Sequence, residues 1–326
     1  MQFGLALPQY DFSVPGRDRL DWPTLAAYGQ RAEQVGFHSL WLSDHIVWAI
    51  DRYGARPGNH EGYDPIPTLA ALARLTTTAR LGTLVLAAPI RPVTVLAKAL
   101  TSLDHVSAGR LTVGIGAGWF GPDFELTDTP FPSPAQRLAD LGAAIDQLKA
   151  SFDRAAPPGA APANAAPPNL PPPVQQPRPP IWVGGRGPRL VQLAAAKADG
   201  WNTCWQWTPQ DYAPRAADAL DLAPDPDRFA LSVGLYTLVG EDEADLRRRF
   251  ERLKATSPLG VVDPGTTLDE YRQGRLVGTV DQVREQVQAW ADLGVTTLIA
   301  CLGAVPFSVT DMDDLEVVAA AGSAVP

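Results

Sequence analysis

Cysteine is almost missing from this 326-residue chain: it holds two, Cys204 and Cys301, far apart and each in or beside an apolar run. Core packing suits such thiols better than a disulfide framework or a thiolate metal site. Histidine is nearly as scarce. His38, His45, His60 and His105 show no i, i+3 or i, i+4 pairing, which argues against a metal centre. The chain has no G-x-S-x-G elbow and no phosphate-loop lysine, so Ser-His-Asp hydrolysis and phosphoryl transfer lack their parts. A basic stripe is missing too. The formal net charge is −9, and even Arg247-Arg248-Arg249 lies among Glu243, Asp245 and Glu251. Long-range attraction to nucleic acid or an anionic membrane is therefore disfavoured. No apolar run reaches the length of a membrane span. The opening Met-Gln-Phe-Gly-Leu-Ala-Leu lacks the basic start and apolar stretch of a secretory signal, so the cytosol is the expected compartment.

Apolar volume is abundant. With 45% hydrophobic and 19% charged residues, the chain can bury a large core and fits one barrel-sized domain. Short β-like runs alternate with amphipathic stretches almost from end to end, which points to parallel strands joined by crossover helices. About eight runs qualify as strands: Phe3–Leu7, Phe37–Leu42, Leu81–Leu86, Leu111–Ile115, Ile181–Val183, Gly200–Cys204, Ala230–Val239 and Thr297–Leu302. Helices are expected between them, over 22–35, 66–77, 92–106, 134–152, 188–198, 209–220, 242–254 and 279–293. Gly36 and Gly294 each follow a helix and precede a strand, where positive φ is cheap for glycine. An open doubly wound sheet is the rival architecture, but it needs a glycine-rich turn after the first strand, and Pro8-Gln9-Tyr10 stands there. The expected fold is a (β/α)8 TIM barrel forming a single domain. It carries a Pro/Ala-rich insertion after the fourth helix, at about 153–179, and another before the eighth strand, 257–278.

In such a barrel the carboxyl ends of the strands carry the chemistry. Ser39-Leu-Trp-Leu-Ser ends in Asp44 and His45, an acid and an imidazole where a strand opens into a loop. The bland alternative is that Asp44 caps the next segment and His45 satisfies a local backbone group. Gly114-Ile-Gly116-Ala117-Gly118-Trp119 follows the fourth strand, and its alternating glycines permit close approach of a flat ligand. A dinucleotide fingerprint fits poorly, because the third glycine is misplaced and no helix starts at Phe120-Gly121-Pro122. Gly184-Gly185-Arg186-Gly187 follows the fifth strand and runs into a helix, a suitable phosphate cradle, although the glycines can also serve only to turn the chain. The third strand ends almost without polar side chains, so Leu84 and Val85 would contribute shape alone. Trp48, Trp119, Phe120, Trp205 and Trp207 fall after strands and suggest the aromatic wall of a substrate pocket. A phosphate cradle, close-approach glycines, aromatic walls and one Asp-His pair are what a protein needs when a cofactor supplies the reactivity.

In these blocks the chain resembles the bacterial luciferase-like family of flavin or deazaflavin oxidoreductases, and more closely its coenzyme F420-dependent branch. The likeness covers nearly the whole chain. It rests on Trp41-Leu-Ser-Asp-His45, Arg80-Leu-Gly-Thr-Leu-Val-Leu86, Gly109 to Trp119, Pro180-Ile-Trp-Val-Gly-Gly185, Ala198-Asp-Gly-Trp-Asn202, and Gly278-Thr-Val280 with the helix and strand that follow. The resemblance implies that Asp44 and His45 lie beside the deazaflavin ring as the catalytic pair. It implies that the Leu84-Val85 link is a non-proline cis peptide against the back face of the ring, and that Gly116, Ala117 and Gly118 lie next to the ring. Gly184, Gly185, Arg186 and Gly187 would then hold the cofactor phosphate. A glucose-6-phosphate dehydrogenase of this family has a glutamate where Trp119 stands and a lysine where Gln206-Trp207 stands, which argues against that substrate. Asp123 and Glu125 are nearby acids with no assigned role. The expected function is F420-dependent hydride transfer to or from a small apolar or aromatic substrate. The alternatives are an FMN-dependent monooxygenase served by a separate reductase and a non-catalytic flavin-binding barrel. Relatives are often homodimers.

Overall fold

A computed structural model describes residues 1–152 and 171–322. The strands are β1 (Gln2–Ala6), β2 (Ser39–Leu42), β3 (Arg80–Thr83), β4 (Leu86–Ala87), β5 (Leu111–Gly116), β6 (Ile181–Gly184), β7 (Gly200–Trp205), β8 (Ala230–Gly240), β9 (Leu276–Thr279) and β10 (Val295–Cys301). Eight of them close a parallel barrel in the order β1-β2-β3-β5-β6-β7-β8-β10, with β10 pairing back onto β1. The eight expected strands all appear in it, within a few residues of their expected bounds. The expected third strand is divided: β3 pairs with β2, and β4 continues the same line against the end of β5.

The helices are α1 (Trp22–Val35), α2 (Pro65–Leu75), α3 (Val93–Val106), α4 (Gly121–Leu126), α5 (Pro134–Phe152), α6 (Pro188–Lys197), α7 (Pro209–Leu222), α8 (Glu243–Thr256), α9 (Leu268–Tyr271), α10 (Val280–Asp292) and α11 (Asp314–Gly322). Their starts follow local chemistry. Asp21, Asp64, Thr208 and Asp242 each accept a backbone N–H as N-caps. Gly36, at φ 103°, caps α1 and donates to the Ala32 and Glu33 carbonyls. The main core lies between barrel and helices: Leu40, Leu81, Val113, Val183, Val233 and Leu298 pack there with Leu25, Leu72, Leu100 and Val287. A second, aromatic-rich cluster holds Tyr10, Trp41, Trp48, Trp182, Tyr236 and Phe307.

A helix does start at Phe120-Gly121-Pro122, where none is expected from the sequence: Pro122 fits the first turn of α4; periodicity likewise gives no sign of α9, β9 and α11. Each is too short, or too uniformly buried, to show a repeat. The 257–278 segment is more ordered than an insertion: it contains α9, and its β9 extends the sheet by pairing with the outer half of β8, Thr237 to Gly240. Most of the Pro/Ala-rich stretch, 153–170, lies outside the described residues. Its end is tied to α3, where the Val174 and Gln175 N–H groups donate to the Asp104 carboxylate at 2.7 and 3.0 Å.

Candidate active site

A cavity of about 730 Å³ opens at the carboxyl ends of the barrel strands. Asp44 and His45 reach it from β2, Leu84 to Ala87 from the β3–β4 link, Gly116 to Trp119 from β5, Gly184 to Arg186 from β6, and Cys204 and Trp205 from β7. The strand tails singled out in the sequence therefore converge on one mouth.

Asp44 is buried, and it is already engaged. Its carboxylate accepts from the Ala87 N–H at 3.0 Å and pairs with the Arg91 guanidinium, which also holds Asp64 at 2.8 Å. Burial pushes the Asp44 carboxyl above the usual range, and Arg91 and the Ala87 N–H offset part of that rise. A carboxylate so tied fixes the loop after β4 and is poorly placed to move protons.

His45 has a different partner. Its Nδ1 lies 2.7 Å from Oδ2 of Asp123 on α4, while Asp123 Oδ1 accepts the Ile46 N–H at 2.8 Å. A carboxylate on Nδ1 selects the tautomer protonated there and leaves Nε2 as the acceptor of the neutral ring. The imidazole stacks on Trp48 at 5.2 Å and 14°, and the edges of Trp119 and Phe120 meet it at 5.6 Å. Aromatic packing on several sides and a fixed Nδ1 leave the ring little rotational freedom. Asp123 is 2% exposed, so the pair is shielded from screening by solvent.

The Leu84-Val85 peptide is cis, as the resemblance implies, and so is Cys204-Trp205. Val85 projects against three glycines on two strands, Gly114 and Gly116 of β5 and Gly184 of β6. A Cβ on Gly116 would stand 2.8 Å from one Val85 methyl and a Cβ on Gly184 2.6 Å from the other, while one on Gly114 would stand 1.9 Å from the Thr83 carbonyl oxygen. The alternating glycines were expected to admit a ligand. Gly114 and Gly116 admit the protein's own β3–β4 bulge, which supplies a flat apolar shelf of Leu84 and Val85 to the cavity, and Gly116, Ala117 and Gly118 line that cavity as well.

Gly184, Gly185 and Arg186 line the cavity, and Gly187 is the N-cap of α6, with no side chain closing the helix end. Exposed N–H groups at a helix start favour an anion. Arg186 donates to the Gln206 carbonyl at 2.7 Å and lies over the Trp207 ring at 4.6 Å. A shelf for a ring beside a cradle for a phosphate fits a phosphate-bearing flavin or deazaflavin.

Two of the expected wall residues stand elsewhere. Trp207 is 5% exposed and belongs to the main core, packed edge-on against Tyr212 at 6.1 Å beneath Arg186 and Arg215. Its loop folds back under α7, so its ring turns away from the mouth. Phe120 meets His45 but is not part of the cavity wall, which ends at the half-exposed Trp119. Trp48 and Trp205 are on the wall as expected, joined by Tyr53, Tyr236, Phe307 and Arg275, which sequence reasoning did not single out. Tyr236 and Phe307 read as ordinary strand and loop residues, and no local signal marks them. Asp123 was noticed but left without a role, because its partner lies 78 residues away.

The chain matches the family model described as luciferase-like monooxygenase over residues 1–297. An uncharacterized protein of Mycobacterium tuberculosis is 30% identical over 261 residues, covering 71% of this chain and 87% of that protein. The F420-dependent hydroxymycolic acid dehydrogenase of the same organism is 28% identical over 310 residues, covering 89% of this chain and 79% of the dehydrogenase. Among solved structures, an F420-dependent secondary alcohol dehydrogenase in complex with an F420-acetone adduct superposes with a TM-score of 0.73 at 18% identity, covering 100% of this chain and 99% of that one. With the barrel, its mouth and a match over most of its length, the chain belongs to the luciferase-like monooxygenase family and is an oxidoreductase of the flavin- and F420-dependent kind.

Proposed function

We propose that the protein is an F420-dependent oxidoreductase that transfers a hydride between the deazaflavin and a small organic substrate with an apolar or aromatic body. The observation that carries this reading is the convergence, in one cavity, of the Leu84-Val85 shelf, the Gly184 to Arg186 cradle and the His45–Asp123 pair. The bound cofactor would supply or accept the hydride at its ring. Val85 would support the ring, and Arg186 and the uncapped start of α6 would hold its phosphate beside Gly184 and Gly185. His45 Nε2 gives a proton to the substrate oxygen or nitrogen during reduction and takes one during oxidation. Asp123 holds Nδ1 throughout and stabilises the imidazolium when it forms. The similarity to the hydroxymycolic acid dehydrogenase favours F420 over FMN.

The second reading is an FMN-dependent monooxygenase fed by a separate reductase, favoured by the description of the matching family model. Titration of the purified protein with F420 and with FMN, followed by fluorescence, separates the two. Submicromolar F420 binding with weak FMN binding is expected. Tight FMN binding without F420 binding overturns the deazaflavin reading in favour of the monooxygenase. Binding of either cofactor without turnover against a panel of alcohols, enones and imines leaves a non-catalytic flavin-binding barrel.

A further inference from the structure

The cavity is charged in a way that an apolar substrate does not explain. The chain is acidic, with net charge −9, yet the two carboxylates lining the cavity are both engaged within the protein: Asp44 with Arg91 and the Ala87 N–H, Asp123 with His45 Nδ1 and the Ile46 N–H. Three guanidiniums line the same cavity: Arg52, Arg186 and Arg275. Among the described residues none of the three pairs with a carboxylate. Arg186 stands at the cradle, where a cofactor phosphate accounts for it. Arg52 is exposed at the lip, over the Trp119 ring at 4.3 Å. Arg275, just before β9, is the informative one. It is partly buried, lies over the Tyr271 and Tyr236 rings at 4.4 and 5.6 Å, and spends one end of its fork on the Tyr271 and Gln273 carbonyls at 3.0 and 3.2 Å, while its Nε is buried without a hydrogen-bond partner.

Its surroundings form an aromatic box. Trp205 stands 5.5 Å from Phe307, edge to face, and 5.9 Å from Tyr236. Burying a cation there without an acid has a desolvation cost, which an anion that enters the site offsets. We propose that the substrate carries an anionic group, a carboxylate in the first instance, which Arg275 binds while the apolar or aromatic body fills the box of Trp205, Tyr236 and Phe307. This rests on the oxidoreductase reading for the identity of the cavity and narrows its substrate class to apolar or aromatic bodies that carry an anion.

The test uses the cofactor-free full-length protein and a matched pair of probes, 2-naphthoate and 2-naphthamide, with binding read by quenching of tryptophan fluorescence. Wild type is expected to bind the carboxylate about ten- to a hundredfold more tightly than the amide, the range a charge-assisted hydrogen bond supports. That preference should shrink as salt is raised. Arg275→Gln should abolish it, Arg275→Lys should keep part of it, and Arg186→Gln should leave it intact while weakening F420 or FMN binding. The wild-type probe pair requires no variant to fold: equal affinity for acid and amide overturns the proposal outright. A preference that survives Arg275→Gln, or an Arg275→Gln protein that loses cofactor affinity and keeps the naphthoate preference, overturns it too, the latter assigning Arg275 to the cofactor. Failure of the oxidoreductase reading shows separately, as binding of neither F420 nor FMN.

Discussion

The two sides of the barrel mouth are made of different materials. From β2 to β6 the surface is backbone and tied charge with aromatic rings packed on it: Val85 nested against Gly114, Gly116 and Gly184, Asp44 held by Arg91, and His45 held by Asp123 and stacked on Trp48. From β7 to β10 it is aromatic side chain: Trp205, Tyr236 and Phe307, with Arg275 above them. The first side is built from contacts with no slack, because a backbone carbonyl has nowhere to move. The second is built from rings that repack. Constancy on one side and adaptability on the other suit an enzyme that holds one cofactor and chooses among substrates.

Substitutions sharpen that contrast, and the largest effect is expected at Arg91. Arg91→Ala leaves a buried Asp44 without its cation, and thermal or urea unfolding at pH 8 should show a loss of about 3–5 kcal/mol. The pH dependence has a defined sign. The folded-state pKa of Asp44 is already raised, so this group's contribution is fully present below its unfolded pKa and is lost as pH rises through the folded value. Removing Arg91 raises that value further, so the variant should recover stability relative to wild type as the pH is lowered toward 5. An equal loss at both pH values would contradict this account.

Asp123→Asn comes next. It keeps an acceptor for the Ile46 N–H but removes the charge that fixes His45, so kcat should fall about a hundredfold, with the melting temperature little changed. Retention of full turnover would remove His45–Asp123 from the chemistry. Gly114→Ala tests the shelf: a methyl 1.9 Å from the Thr83 carbonyl oxygen should cost about 1–3 kcal/mol or more in urea unfolding. On the opposite side Phe307→Leu, an apolar exchange in a ring cluster, should cost about 1.5 kcal/mol or less and alter substrate preference more than stability.

The smallest effect concerns Cys204, which lines the cavity but whose thiol burial pushes up to about 12. Iodoacetamide at pH 8 should label it far more slowly than a free thiol, because the thiolate is the nucleophile. Fast labelling of the folded protein would refute that burial.

The barrel was legible because its signals are local. Gly36 ends a helix, Pro188 starts one, and short apolar runs such as Leu111 to Ile115 fall between amphipathic stretches, so periodicity and caps suffice. Much of the candidate site was legible for the same reason, since residues at strand ends are placed by the barrel itself. Asp44, His45, Leu84, Val85 and Gly184 are cases. The failures share a cause. Trp207 has the composition of a pocket wall, but its loop turned inward beneath α7, and only packing shows that. Gly114 has the composition of a ligand platform, but the Thr83 carbonyl and Val85 occupy the space it leaves, while Gly116, Ala117 and Gly118 line the cavity.

Sequence by itself determined the alternation of strands and helices and the strand ends that reach the mouth, because caps, turns and apolar periodicity are interactions between near neighbours. Tertiary structure alone decided which charges meet: Arg91 reaches Asp44 across 47 residues, and Asp123 reaches His45 across 78. Such pairs form only when separate loops close over the same opening, and no local propensity encodes the distance between them. That closure divides the mouth into charges paired within the protein, such as Asp44, and charges that line the cavity without a carboxylate partner among the described residues, such as Arg275.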